Sequence, residues 1–237
     1  MSVMQWPSPN LLLASLPNET LQRLIPNIER VHMTPGQSLC EPGVPMREVY
    51  FPESSVVAMS YAMEDGSSAE VALVGPEGVV GVRLLLGATA LTVHATVQSA
   101  GWGVKVPARH VLDEFRRGEA LMQVLLRYTE SYIGQIVQTS ACNRHGTLEQ
   151  RLCRWLLLSL DRMPTNELTM THELIANALG AKREGVTEAL GQLRREGAIR
   201  YGRGHIEVLD SSILAGRACD CYRIDKNAPC LQEMRSA

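Results

Sequence analysis

The sequence predicts an α+β chain in three parts: an N-terminal β barrel or sandwich, one long helix, and a C-terminal winged helix-turn-helix. Three observations carry that prediction. Between residues 29 and 107, short runs rich in β-branched residues alternate with turn residues. After Pro107 the apolar spacing lengthens from two to about 3.6 residues. Beyond Pro164, two short helical patterns punctuated by Gly180 and Gly197 lead into a small hairpin around Gly202 and Gly204.

The strand segments are 31–33, 49–51, 55–63, 69–74, 92–98 and 103–106, bounded by Pro35-Gly36, Pro42-Gly43, Asp65-Gly66, Gly75-Pro76 and Gly101. Asp65-Gly66 predicts a hairpin turn, because glycine supplies the positive φ that a tight turn requires. Regular strands without intervening long helices point to a barrel or sandwich rather than a parallel sheet. Next come Met122, Leu125, Leu126, Tyr132, Ile133, Ile136, Val137 and Ser140 at helical offsets, with only Gly134 to weaken the run. Such a helix can pack on its own barrel alone or also pair with a second copy of itself. Its stripe is wider than one small barrel covers, which favours the homodimer. A further helix from Leu148 ends before Pro164, and Thr171, three residues ahead of Leu174, can cap the helix that follows. Gly180 closes that helix and Gly197 the next, giving the outline of a winged helix-turn-helix.

Composition limits what the chain can be. Its 237 residues are 45% hydrophobic and 20% charged, enough to build one or two real cores. No apolar run reaches the roughly 18 residues of a membrane helix, and the first residues lack the basic-then-apolar pattern of a secretory signal, so a cytoplasmic protein is expected. Six scattered cysteines without a CxxC pair suit reduced thiols. Net charge is −2; up to Thr147 there are 10 Lys and Arg against 13 Asp and Glu, and after it 13 against 12. That asymmetry is too small to argue for nucleic acid, so a local signal is needed. No Ser/His/Asp set, phosphate-binding glycine loop or paired carboxylates stand out, which argues against an enzyme.

The local signal is the run LTMTHELIANALGAKREGVTEALGQLRREGAI, from Leu168 to Ile199. It resembles the DNA-binding module of the Crp/Fnr transcription regulators, with a threonine opening the first helix, a Leu-Ala…Leu-Gly packing core and an Arg-Glu-x-Val start to the recognition helix. The order of β-roll, long helix and winged helix is also similar. The resemblance implies a double-stranded β-helix, jelly-roll-like sensor domain over 1–117, a dimerisation helix over 118–146, a winged helix-turn-helix over 147–215 and an extension over 216–237. It implies double-stranded DNA with a palindromic operator, a second copy of the chain, RNA polymerase and a small-molecule effector as partners.

Carried over by position, Arg183 and Glu184 match the two leading base-reading residues. Arg can donate twice to guanine O6 and N7, and Glu can accept from cytosine N4. Val186 and Leu190 should face the core, while Lys182, Thr187 and Arg194 can reach phosphate or base edges, Thr171 joins the DNA-binding set, and on the wing Arg200, Arg203 and His205 can touch backbone phosphate. Glu188 departs from the arginine often found there, so the familiar operator is not expected. Two alternatives stand beside this. The basic residues could be a solvated face paired with Glu184, Glu188 and Glu196, and the whole chain could be a ligand-binding or protein-interaction module that does not read DNA.

In cyclic-nucleotide-binding members of the family, a glutamate holds the ribose and an arginine the phosphate. The matching stretches here look like Gly81-Val82-Arg83 and 93–97, with Val82 and Val93 at the two key places. A buried phosphate without a cation carries a large desolvation cost, so an effector other than cyclic AMP is expected unless Arg83 or His94 supplies the charge. Arg83 reads equally as a surface residue and His94 as a strand residue facing solvent. Fnr-type members hold an iron-sulfur cluster on N-terminal cysteines, and none precedes Cys40. Cys219, Cys221 and Cys230 lack a fourth ligand and are read as free thiols rather than a metal site. The sequence names no cofactor.

Overall fold

The computed structural model describes residues 8–202 and 204–226, the last three as backbone only. Two short helices lead in, α1 (Leu11–Ala14) and α2 (Asn18–Leu24), followed by a 3-10 turn at Ile25–Asn27. Buried Asn10 caps α1 by accepting from the Leu12 and Leu13 amides, and its amide nitrogen donates to the Pro52 and Gly78 carbonyls, pinning the entry segment to the β domain.

Seven strands then form two antiparallel sheets: β1 (Glu29–Met33), β2 (Ser38–Cys40), β3 (Glu48–Pro52), β4 (Val56–Ala62), β5 (Ser68–Val74), β6 (His94–Ser99) and β7 (Gly101–Pro107). One sheet runs β1-β7-β3 and the other β2-β6-β4-β5. This is the expected roll, with β2 and the short helix α3 (Val82–Leu85) added to the sequence-based set. The β4–β5 hairpin turns where predicted, but through a five-residue loop in which Met63 and Ser67 close the ladder, Gly66 takes φ +82° and the Asp65 carboxylate accepts from Ser67. Val57, Met59, Ala72, Val74 and Ala95 fill the interior of the larger sheet with Val80 and Leu91. The other sheet buries Val49, Phe51, Val104 and Val106 against the N-terminal helices, α4 (Ala108–Arg116) and the start of α5.

The long helix α5 (Ala120–His145) splits its apolar residues between two directions. Leu125 and Tyr128 are buried, and Tyr132 and Ile136 pack on the roll. Leu126, Ile133 and Val137 remain 45, 54 and 60% exposed on an adjacent line. Ser140, which the sequence places on the same stripe, is also exposed.

After Gly146, Thr147 and Gln150 form a capping box that starts α6 (Leu148–Leu160). The remaining elements are β8 (Glu167–Thr169), α7 (His172–Leu179), α8 (Arg183–Arg195), β9 (Ile199–Gly202), β10 (His205–Val208), α9 (Ser211–Arg217) and α10 (Cys221–Lys226). They share one core, and Val56 and Leu73 of the roll belong to it. Polar contacts reinforce that seam. Trp155 Nε1 donates to Glu70 (3.0 Å), Gln98 donates to Ser159 (3.0 Å), and the buried pair Arg162–Glu77 closes at 2.6 Å. Among the described residues, no helix is long and apolar enough to cross a membrane.

Candidate nucleic-acid interface

The helix-turn-helix is built from local signals. Thr171 accepts the Leu174 amide at 3.2 Å and so opens α7, whose Ile175, Ala176 and Leu179 are buried. Gly180 ends it at φ +56°, the left-handed conformation that lets the chain reverse within three residues. Lys182 is extended and α8 begins at Arg183. Val186, Leu190 and Leu193 are all fully buried, at spacings of four and three, which fixes the rotation of α8. The first two turns therefore expose Lys182, Arg183, Glu184, Thr187 and Glu188, and the last turn exposes Arg194 and Arg195.

The intrahelical pairing expected as the alternative does not form. Among the described residues, no ion pair links Lys182, Arg183, Arg194 or Arg195 to Glu184 or Glu188. Glu196 instead binds Arg217 and Gln192, and Arg195 donates to Gln192. The cations at the start of α8 are thus left facing solvent.

Two residues that sequence reasoning passed over brace this surface. His172 Nδ1 lies 2.9 Å from Thr187 Oγ1, which also donates to the Arg183 carbonyl at 3.0 Å. Burial, and then the nearby Arg183 charge, hold the His172 imidazole below its usual range, so it stays neutral near pH 7. Its ring packs edge-on to Tyr201 with centroids 5.3 Å apart, and the Arg194 guanidinium lies over the Tyr201 ring, 5.1 Å from its centroid. Tyr201 lies on β9, so wing, α7 and α8 are joined through one aromatic. Nothing in hydrophobic periodicity marks His172 or Tyr201; only their place at the helix start and on the wing strand does. On the wing, Arg200 is held by Glu207 at 2.6 Å and His205 lies 3.4 Å from the Thr169 hydroxyl. Arg203 lies outside the described residues.

In the roll, Gly81 takes φ +114° ahead of α3, and Val82 is buried in the core beneath it. Val93 packs against the interior of the larger sheet, and His94 stands opposite Ser60 on β4. Arg83 and His94 are both half-buried rather than free surface residues. The Arg83 guanidinium donates to the Thr92 hydroxyl at 2.6 Å, which places its charge next to Val93. Tyr132, which the sequence places on the stripe of the long helix, also lies within electrostatic reach of Arg83. Burial raises its hydroxyl to about 12, with Arg83 acting in the opposite direction.

The cysteine cluster differs from the one read in the sequence. Cys219 and Cys221 gather with Cys142 of α5, and Cys230 lies outside the described residues. Among the described residues, no group of three or more His, Cys, Asp or Glu could hold a metal ion.

Comparison with known proteins matches residues 30–118 to a cyclic nucleotide-binding domain and residues 150–217 to a Crp-like helix-turn-helix domain. The chain is 28% identical over 176 residues to a global nitrogen regulator of Nostoc sp., covering 70% of this chain and 79% of that protein. It is 26% identical over 209 residues to a CRP-like cAMP-activated global transcriptional regulator of Mycobacterium tuberculosis, covering 82% and 90%. A solved CRP/FNR-family transcriptional regulator from Thermus thermophilus superposes with a TM-score of 0.63 at 26% identity, over 80% of this chain and 98% of that one.

Proposed function

Because this chain belongs to the Crp/Fnr family of DNA-binding transcription regulators, we propose that it acts as a homodimer that seats α8 in the major groove under control of an effector other than cyclic AMP. One observation carries the reading: the start of α8 presents Lys182, Arg183, Glu184 and Thr187 outward on a helix whose rotation is fixed by three fully buried residues.

Arg183 donates two hydrogen bonds to a guanine edge, and Glu184 accepts from cytosine N4. Lys182, Thr187 and Arg194 contact phosphate or base edges. Thr171 accepts the Leu174 amide on its hydroxyl oxygen and retains the hydroxyl proton to donate to a phosphate at the start of α7. Glu188, exposed one turn beyond Glu184, disfavours a phosphate there and so restricts which sites are accepted. Arg203 joins these contacts on the strength of its sequence position alone.

The outward line Leu126, Ile133 and Val137 supports pairing through α5, since three large apolar side chains in a row gain by leaving water. A division into a sensor over 1–117, the helix over 118–146, a DNA-reading domain over 147–215 and an extension over 216–237 goes with this reading, as do RNA polymerase and an unidentified small molecule as partners. The effector enters near Gly81, Val82, Arg83, Val93 and His94. Buried Val82 offers no carboxylate to a ribose, while Arg83 beside Thr92 offers a cation from the helix α3 rather than from the stretch that carries the family's arginine.

Salt-dependent binding tests the DNA reading. Neutralised phosphates release counterions, so affinity must fall linearly on a log–log plot against salt. Lys182→Ala should weaken binding to all sequences alike and reduce that slope by about one. Binding without salt dependence, or none at all, would instead favour a module that does not read DNA.

A further inference from the structure

The described thiols fall into two classes. Cys40 and Cys153 are buried in the cores, and burial pushes the Cys153 thiol up to about 12. Such groups are inert. Cys142 and Cys219, 77 residues apart, instead bring their sulfurs to 2.9 Å. A disulfide needs about 2.05 Å between sulfurs, so a shift of less than about 1 Å separates this contact from a bond. Cys142 is 3% exposed and sits in the last turn of α5. Cys219 is half-exposed in the link between α9 and α10, and Cys221 hydrogen-bonds to it through both its thiol and its backbone.

Position gives the pair its meaning. Gly146 and Thr147 are the whole connection between α5 and α6, and the Gly146 amide donates back to the Cys142 carbonyl at 2.8 Å. The chain leaves α5 through this joint, makes the entire winged helix-turn-helix, and returns at Cys219 to the point it left. A bond there would tie the C-terminal domain covalently to α5 at two places instead of one.

We propose that Cys142 and Cys219 form a reversible disulfide, driven by a hydroperoxide, that fixes the winged helix-turn-helix domain against the end of α5. The half-exposed Cys219 meets the oxidant first. Its thiolate attacks one peroxide oxygen, the O–O bond breaks, and the departing oxygen takes up a proton, leaving a sulfenic acid. The Cys142 sulfur then attacks the Cys219 sulfur: the S–S bond forms, the S–O bond breaks, and hydroxide leaves as water with the Cys142 proton. With hydrogen peroxide, two thiols and one peroxide give one disulfide and two waters. A dithiol reverses the reaction by exchange. Burial and the hydrogen bond with Cys142 raise the Cys219 thiol, so the thiolate fraction, and with it the oxidation rate, increases as pH rises above neutrality. Only the thiol geometry carries this proposal, and it holds whether or not α8 reads DNA.

The full chain, treated with hydrogen peroxide and digested without reductant, should yield a Cys142–Cys219 linked peptide two hydrogens lighter than its reduced parts. The link should vanish with dithiothreitol, be absent from Cys219→Ser and persist in Cys221→Ser. Cys219 is the half-exposed partner, so its serine variant avoids disturbing the buried Cys142 site. Hydrogen exchange at residues 143–148 should slow on oxidation in the wild type and not in Cys219→Ser. A dominant Cys219–Cys221 link, a link to Cys230, a link between two copies in a mixed-isotope sample, or sulfinic acid without any link would overturn the pairing. A Cys142–Cys219 link that leaves exchange at 143–148 unchanged would overturn its role at the joint.

Discussion

Glu70 offers a quantitative test of how the two domains are held together. It lies on β5, its carboxyl accepts from Trp155 Nε1 of α6 at 3.0 Å, and it is buried at the seam between the roll and the C-terminal domain. Burial pushes this carboxyl from 4.5 to about 8, against the opposing pull of the Trp155 hydrogen bond and of Arg162 and Arg154. In the folded protein the group is therefore protonated at neutral pH, whereas in the unfolded chain it is ionised. Folding takes up a proton between those two values, so stability is greatest below about pH 4.5 and is lost as pH rises toward about 8. A shift of this size corresponds to at most roughly 5 kcal/mol across the window. Glu70→Gln keeps the acceptor for Trp155 and removes the titration. In urea unfolding followed by tryptophan fluorescence, variant and wild type should have similar stability near pH 5, and the variant should become progressively more stable toward pH 8. Two stability curves that stay parallel from pH 5 to pH 8 would refute the reasoning.

Other expectations follow from α5 and the roll. The wild type should sediment as a dimer at micromolar concentration, and replacing Ile133 and Val137 together with Glu should give monomers; Ile136 is the wrong target because it packs on the roll. A monomeric wild type would end the dimer reading. Calorimetry with millimolar cyclic AMP or cyclic GMP should show no saturable heat, because Val82 and Val93 offer neither carboxylate nor cation; a micromolar dissociation constant would mean that Arg83 has taken over the phosphate.

Much of the fold is legible because local chemistry and tertiary need agree. The α7–α8 turn could be read because Thr171 and Gly180 each satisfy a backbone demand that their neighbours cannot. β2 escaped because Ser38-Leu39-Cys40 is too short to show a period of two. Periodicity found α5 but merged two surfaces. Leu125, Tyr132 and Ile136 precede Leu126, Ile133 and Val137 by one residue, about 100° around the helix, so one broad stripe serves the roll and a second surface together. Contacts between distant segments left no trace in the sequence. Trp155 with Glu70, His172 with Thr187 and Cys142 with Cys219 depend on how separate elements pack, and no spacing rule links positions 77 residues apart. The expected pairing of the α8 charges with Glu184 and Glu188 satisfied helical spacing yet does not form, because exposed pairs gain little over water.

The most direct test of DNA reading by α8 is selection of binding sites from random double-stranded DNA by the wild type and by Arg183→Ala. The wild type should enrich an imperfect palindrome whose half-sites lie about 34 Å apart, one turn of DNA. Arg183→Ala should relax the preference at one base pair per half-site and weaken the selected site by about 1 to 3 kcal/mol. Enrichment of no palindrome, or an identical motif and affinity for Arg183→Ala, would contradict the assignment of α8 as the reading helix.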